Sequence, residues 1–410
     1  MNPAVVEALE PKAALDFYLQ RGVRPDGRRL DESRPLRLTL RPHESAGTFG
    51  SAVAQLGPTQ VLGTATLQVG TPNLGAPLEG DLVVNVNLAP FLATADGGVG
   101  SGRSHRMRAE RGQLAADTVR QCLLASGCLK LSDLSLSPYT AAWQLTLDLS
   151  VLDDGGSLLD CCFAAAVATL RTVRLPATIQ PERIEGSRDS GAGGSIQFAP
   201  GQAWWDRAPL PVYKNLSSLT CRVWTPSSTA SGASGSGSGS SSDGSSGGSS
   251  GGSSDPRLVV DPDRREEAEL PATVTVVFAS STGAGGTPSA AATSNKSESR
   301  GPVPTLELCG VYSRRGVPLS SISECTSLSK AHALTAFQCL EAAASAAETR
   351  RLAAKEQAVQ VSGTAKKVAS ISGSGRGAAQ SSEAGGGNGK KRSKGDDPSQ
   401  KAARVQSKKK

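Results

Sequence analysis

The sequence predicts an α+β fold of two βαβ-type halves with disordered insertions, and three observations carry that expectation. Short runs of alternating or β-branched residues recur before residue 90 and again between 216 and 312, which is the period of half-buried strands. Residues 143–173 join an alternating strand, a glycine turn and an Ala-rich helix, the order of a βα unit. Nearly pure Gly/Ser stretches divide the later strands, and such composition cannot bury enough apolar surface to pay for ordering the backbone.

Residues 11–20 read as a short helix, with Pro11 in its first turn, Ala14, Leu15, Tyr18 and Leu19 on one side, and Gly22 just beyond its end. Arg24-Pro25-Asp26-Gly27-Arg28 is turn chemistry, and Arg24 and Arg28 are expected to fix that turn through ion pairs and backbone bonds. Strands follow at 36–40, 47–56 and 60–69, the last two joined at Gly57-Pro58, and a fourth at 82–88 completes what reads as an antiparallel sheet. Between 103 and 126 the period changes to that of a helix. Leu114, Val119, Cys122 and Leu123 form its apolar face, and Arg106, Arg108, Arg111 and Arg120 can stay wet.

Trp143, Leu145, Leu147 and Leu149 point one way along the strand at 143–152, and Asp153-Asp154-Gly155-Gly156-Ser157 turns it into the helix 158–173, with Ser157 expected as its N-cap. Further strands are expected at 216–224, 258–260, 272–278 and 306–312, then a helix over 324–351. The domain plan is therefore a first core segment, 11–224; a Gly/Ser insertion, 225–256; a second core segment, 257–352, interrupted at 279–303; and a disordered basic tail, 353–410. Loop-closure entropy grows only logarithmically, so a tenfold longer loop costs roughly 2 kcal/mol.

The formal net charge is +7, but Lys390, Lys391, Arg392, Lys394, Lys401, Arg404, Lys408, Lys409 and Lys410 supply much of the excess. Such a tail serves solubility, nucleic-acid binding or nuclear import equally well. The eight cysteines fall mostly in apolar runs without C-x-x-C spacing, so they read as buried, reduced thiols. His43, His105 and His332 have no Cys or His neighbour at ligand spacing; neither a metal nor a cofactor is expected. No basic-then-apolar leader opens the chain, and no run of about 18 uncharged apolar residues occurs, so neither secretion nor a membrane span is expected.

Two places could carry function. Arg103, Arg106, Arg108 and Arg111 open the first long helix after a glycine-rich loop, where positive charge works against the helix dipole; they are candidates for RNA phosphate contacts, although an ordinary wet helix face would use the same residues. The turn Gly155-Gly156-Ser157-Leu158 is the other, because free amides at a helix start suit an anion. Ser157 has no His–Asp pattern around it and is not read as a nucleophile.

Arg24-Pro25-Asp26-Gly27-Arg28 and the unit from Trp143 through Gly155-Gly156-Ser157 to Cys161 resemble the RNase PH family. Ser135 to Trp143, Leu158-Leu159-Asp160-Cys161, and Val260-Asp261-Pro262 with Glu266-Glu267 are most similar to the non-catalytic ring subunits of the eukaryotic RNA exosome. The likeness covers 13–225, 257–278 and 306–351. It implies an RNase PH-like fold, and in active relatives phosphorolysis of RNA from the 3′ end. That chemistry needs an arginine after the glycine turn to fork onto phosphate, and a carboxylate on the late strand.

Here Leu158 follows the turn, and Thr273 or its neighbour Ala272 stands at the carboxylate's place. A charged hydrogen bond is worth about 1.5–3 kcal/mol, so losing the fork weakens phosphate binding roughly one to two orders of magnitude. Loss of a general acid removes about 10²–10⁴ in rate. Asp263, Glu266 and Glu267 remain as an acidic run, expected to be a solvated loop or cap.

The resemblance therefore implies a non-catalytic structural subunit supporting 3′-to-5′ RNA processing and degradation, such as rRNA maturation and mRNA turnover. The implied partners are other RNase PH-like exosome subunits, S1/KH-type cap subunits, an associated hydrolytic nuclease and RNA. The implied locations are nucleus, nucleolus and cytoplasm. Two alternatives stay open: an active phosphorolytic exoribonuclease using Arg103 or Arg106 with Asp263, and a free-standing RNA-binding adaptor acting through the tail.

Overall fold

The computed structural model describes residues 9–41, 48–89, 92, 102–179, 197–198, 203–226, 256–280 and 305–373, of which 102–105, 178–179, 197–198, 204 and 361–373 are described by backbone alone. The chain divides into two units, residues 1–356 and 357–410, and of the second only the helical stretch to residue 373 is described. The expected insertions and the far end of the tail lie almost wholly outside the described residues.

Among the described residues five α-helices and fourteen strands follow one another: α1 (Pro11–Gln20), β1 (Leu36–Arg41), β2 (Gly50–Leu56), β3 (Thr59–Gly70), β4 (Asp81–Leu88), α2 (Gly102–Ala125), β5 (Ser135–Ser137), β6 (Ala141–Asp153), α3 (Leu158–Thr172), short β7 (Arg174–Leu175), β8 (Thr178–Ile179), β9 (Gln197–Phe198) and β10 (Ala208–Pro209), then β11 (Leu216–Trp224), β12 (Arg257–Val260), α4 (Arg264–Glu269), β13 (Thr273–Ser280), β14 (Leu306–Arg314) and α5 (Leu319–Gly373).

The first sheet runs β1-β2-β3-β6-β4, with β5 paired to β6. Gly57, at φ +58, makes the β2–β3 turn, so that Leu56 faces Thr59 and Ala52, Ala54, Val61 and Ala65 share the buried side. The expectation of an antiparallel sheet fails at β4, which pairs with β6 in parallel, Leu82 opposite Leu145. The cause is length: the connection between them contains all of α2, and a helical crossover brings a strand back in the same direction.

The second sheet, β12-β11-β13-β14, is antiparallel throughout. β12 and β13 run the same way on either side of β11 and are joined by α4, so this half is a split βαβ.

Between the halves lies α3. Leu158, Cys161, Cys162, Phe163, Ala165, Ala166, Val167, Ala168 and Leu170 are all buried, as expected of a helix covered on every side. It sits close to the first sheet because β3 offers Gly63 there: a Cβ at that position would fall 2.1 Å from Thr169 Oγ1. The face of α2 also differs from expectation. Ala115, Ala116, Val119, Cys122 and Leu123 are buried while Leu114 is 49% exposed. Small residues decide this, since Gly112 lies against the Val86 carbonyl (a Cβ would approach it to 2.6 Å) and turns the Ala115–Ala116 side inward.

Strand β13 runs to Ser280, past the expected start of the second insertion, and α5 begins before residue 324 and continues past 353. Residues 353–360, Ala-Ala-Lys-Glu-Gln-Ala-Val-Gln, are mostly strong helix formers, which is why the helix does not stop where composition turns basic.

The contact between α3 and β11 is polar at one point. Asp160 accepts hydrogen bonds from Ser218 Oγ (2.6 Å), Thr220 N (2.8 Å) and Thr220 Oγ1 (3.1 Å). Burial outweighs these donors and pushes its carboxyl up to about 6 from 3.8. A carboxyl raised on folding binds its proton more tightly in the folded state, so its contribution to stability is full below 3.8 and is lost as pH rises through about 6. Asp160→Asn should remove that component. The melting-temperature difference between wild type and variant is expected to change across this window and to be flat above it; a difference that is flat throughout would contradict the raised carboxyl.

Candidate functional site

Strand β6 leaves its sheet at Asp153-Asp154-Gly155-Gly156-Ser157, and the last two residues are left-handed, at φ +100 and φ +50. Ser157 holds the N-cap position of α3 but makes no side-chain cap. Its hydroxyl donates to the Pro262 carbonyl at 3.1 Å instead, because the left-handed backbone turns the side chain away from the helix amides and toward the segment before α4.

The amides of this turn are all engaged. Gly155 N–H donates to Thr59 Oγ1 (3.1 Å), and Gly156 N–H to Asp154 Oδ1 (3.3 Å). Ser157 N–H donates to Glu267 Oε1 at 3.0 Å, so a carboxylate of the same chain occupies the place where a helix start would receive an anion. Glu267 is held there by Arg111 Nη2 (3.2 Å), with Arg222 Nη2 at 3.9 Å. Asp154 takes Arg111 Nη1 (2.8 Å) and Arg264 Nη1 (3.4 Å). Leu158 points into the core, 3% exposed, so no cation follows the glycines. On the late strand, Thr273 Oγ1 donates to Pro271 O at 3.5 Å, and β13 from Thr273 to Ser280 contains no carboxylate.

A buried ionic cluster fixes the turn from behind. Arg24 sends Nε and Nη2 to the two oxygens of Glu266, and also reaches the carbonyls of Val260 (2.7 Å) and Asp261 (2.9 Å). Arg34 binds Asp261 through its amide (2.7 Å), Nε (2.8 Å) and Nη2 (2.6 Å), and holds the carbonyls of Gly155 (3.0 Å) and Gly156 (3.2 Å). Arg28 Nη1 approaches Asp261 Oδ2 at 3.1 Å.

Arg24 and Arg28 thus fix their turn as expected: Arg28 pairs within it with Asp26 (2.6 Å), while the anchors Glu266 and Asp261 lie more than 230 residues away, in the second half. Arg34 was not foreseen; apart from preceding Pro35 it carries no sequence mark that separates it from other arginines. Of the acidic run, Asp263 is indeed a cap: its Oδ1 accepts Glu266 N–H (2.8 Å), and Glu266 Oε2 accepts Asp263 N–H (2.8 Å). The solvated-loop expectation is overturned for Glu266, 1% exposed, whose carboxyl burial pushes up while Arg24 opposes.

The arginine edge of α2 separates into parts. Arg103 lies in the first turn, where only the backbone is described. Arg106 is 83% exposed and pairs with Glu110, one turn on, at 2.8 Å; Arg108 is half-buried. Arg111 is committed to Asp154 and Glu267, and Arg120 Nε donates to the Leu82 carbonyl at 2.8 Å. Among the described residues no group of three His, Cys, Asp or Glu side chains could hold a metal ion, and no helix is long and apolar enough to cross a membrane.

Comparison with known proteins meets part of this geometry, since the family match takes in Arg34, Arg111 and the glycine turn but ends before the segment 261–267. Residues 32–176 match the RNase PH family model, described as 3′ exoribonuclease family, domain 1. Exosome complex component Rrp42 of Saccharolobus solfataricus is 33% identical over 175 residues, 42% of this chain and 60% of the relative. The protein of the same name from Sulfurisphaera tokodaii is 35% identical over 176 residues, 43% of this chain and 60% of the relative. The chain thus spans about 60% of the length of the curated relatives it matches.

Among solved structures, a chain of the Archaeoglobus fulgidus exosome with RNA bound to the active site superposes with a TM-score of 0.53 at 20% identity, covering 82% of this chain and 98% of that one. A chain of an archaeal exosome core gives 0.51, also at 20% identity, over 83% and 98%. At that identity the likeness speaks for fold. Residues 32–176 therefore carry the match to the RNase PH family, and the chain takes an RNase PH-like fold.

Proposed function

We propose that this protein is a non-catalytic, structural subunit of an exosome core ring, supporting 3′-to-5′ RNA processing and degradation. The observation that carries the proposal is the Glu267 carboxylate on the Ser157 amide. Phosphorolysis requires inorganic phosphate at a helix start with a cationic fork beside it. In this chain a resident carboxylate takes the amide, Arg111 is spent on Asp154 and Glu267, and Leu158 stands where the fork would begin. A second anion there would face two carboxylates at close range, which costs more than the ordinary loss of one donor.

The partners proposed are RNase PH-like subunits on either side, S1/KH-type cap subunits, a hydrolytic nuclease and the RNA passing through. Exposed Met107 and Leu114 on α2, and Leu308 and Val311 on β14, supply apolar surface for such neighbours; the two elements meet where Cys122 Sγ lies 3.0 Å from Tyr312 Oη. Of the arginines at the start of α2, Arg103, Arg106 and Arg108 are the ones proposed to meet RNA phosphates, since Arg111 is engaged within the chain. Alone, the protein should be less stable than with its neighbours, through mass action.

The test is incubation of the purified chain, alone and in a reconstituted ring, with single-stranded RNA and inorganic phosphate. No nucleoside diphosphate is expected. Release of nucleoside diphosphates that disappears with Asp263→Asn, a change that keeps the helix cap but removes the charge, would overturn the proposal and restore the active-enzyme alternative.

A further inference from the structure

Cys221 in β11 and Cys325 in α5 are separated by 104 residues, yet their sulfurs lie 3.0 Å apart. Neither has any exposed surface. They sit in the second sheet's own core with Val223, Val274, Phe278, Ala333 and Phe337. The other cysteine contacts are of a different kind: Cys122 meets the Tyr312 hydroxyl, Cys161 the Ala54 carbonyl and Cys339 the Leu36 carbonyl.

We propose that Cys221 and Cys325 are a latent disulfide pair which, once oxidised, pins α5 to the second sheet. This does not depend on whether the glycine turn is catalytically silent. Helix α5 serves both halves, with Cys325, Ala333 and Phe337 packed on the second sheet's core and Leu340 and Ala347 in the core of the first. A covalent bond at Cys325 therefore fixes the end of the helix that belongs to the second half. In the reduced state the pair is protected in two ways: no reagent can reach it, and the hydrogen bond with the Cys325 thiol, together with burial, holds Cys221 well above the ordinary thiol range, which suppresses the attacking thiolate. Oxidation thus waits for the first turns of α5 to lift from the sheet.

With a diazene oxidant such as diamide the step balances. The two thiols give up two protons and two electrons as the S–S bond forms, and the N=N double bond accepts both to become the N–N bond of a hydrazine. A cross-link closing a loop of this size acts mainly by restricting the unfolded chain.

The full-length protein is treated with diamide, the remaining thiols are alkylated after unfolding, and the digest is mapped without reduction. A peptide pair joined through Cys221 and Cys325 is expected, together with a rise in melting temperature of roughly 5–10 °C that reductant reverses. Cys325→Ala should abolish both, whereas Cys339→Ser should abolish neither. Should the alanine variant fail to fold, the wild-type peptide map still decides. Recovery of Cys221 and Cys325 as alkylated thiols, or joined to other cysteines, overturns the proposal, as does a melting shift that persists in Cys325→Ala.

Discussion

Arg24→Ala is expected to cost the fold about 3–5 kcal/mol, the usual consequence of removing one partner from a buried ion pair. The guanidinium is enclosed together with Glu266, at 0% and 1% exposure, and it also satisfies the carbonyls of Val260 and Asp261. Truncation leaves the buried Glu266 carboxylate with the Asp263 amide but no countercharge, and takes a donor from the carbonyls of Val260 and Asp261, the latter keeping Arg28 at 3.3 Å; the loss compares with the whole stability of a marginal domain. Equilibrium unfolding in urea would show a lower midpoint at nearly unchanged slope, or no folded baseline at all.

Arg24→Lys should recover only part of the loss, because an ammonium cannot reach both carboxylate oxygens with the fixed geometry of a guanidinium. Arg24→Met combined with Glu266→Leu should be milder than Arg24→Ala alone, since no charge is then stranded, though the Asp263 amide loses its acceptor on the Glu266 side chain. A double variant as unstable as the single one would show that Arg24 acts through packing and not through charge.

How much of this was legible in the sequence depends on range. The strands and helices within each half follow from period: alternation set Trp143, Leu145, Leu147 and Leu149 inward, and the structure buries all four. Turn chemistry marked Gly57-Pro58 and Gly155-Gly156. What period could not reveal is pairing partner and direction, so β4 was expected in an antiparallel sheet and lies parallel to β6. The helix face of α2 was misread at Leu114 because hydropathy favours the larger residue, while close packing favoured Gly112, Ala115 and Ala116.

The site shows the same limit. Leu158 after the glycines was visible in the chain order, and from it the missing cation. The occupant of the turn was not visible, for Glu267 is 110 residues away and belongs to an acidic run that reads as solvated. Arg34 illustrates the point further: its partners, Gly155, Gly156 and Asp261, come from two segments that only the fold assembles around it. Local physics places the turn, and long-range contacts decide what it can bind.

Gly156 is where those long-range contacts are tightest, and Gly156→Ala is expected to be the most damaging single methyl in the described chain. At φ +100 the backbone lies outside what an L side chain adopts easily, which alone costs about 1–2 kcal/mol. A Cβ there would also fall 2.4 Å from the Pro262 oxygen, 2.6 Å from Asp263 C and 2.7 Å from Arg264 N, all backbone atoms that cannot rotate away. The segment before α4 must therefore move, at a total of about 3 kcal/mol or more.

Gly22→Ala separates the two effects, because Gly22 has φ +72 and nothing within 4 Å of its would-be Cβ, so it should show the conformational cost alone. Displacing α4 also draws Glu267 off the Ser157 amide. Hydrogen exchange at that amide should accelerate in Gly156→Ala and stay slow in Gly22→Ala. Equal unfolding costs in the two variants, with Ser157 still protected in both, would mean that the glycine turn and α4 are not held together by this contact.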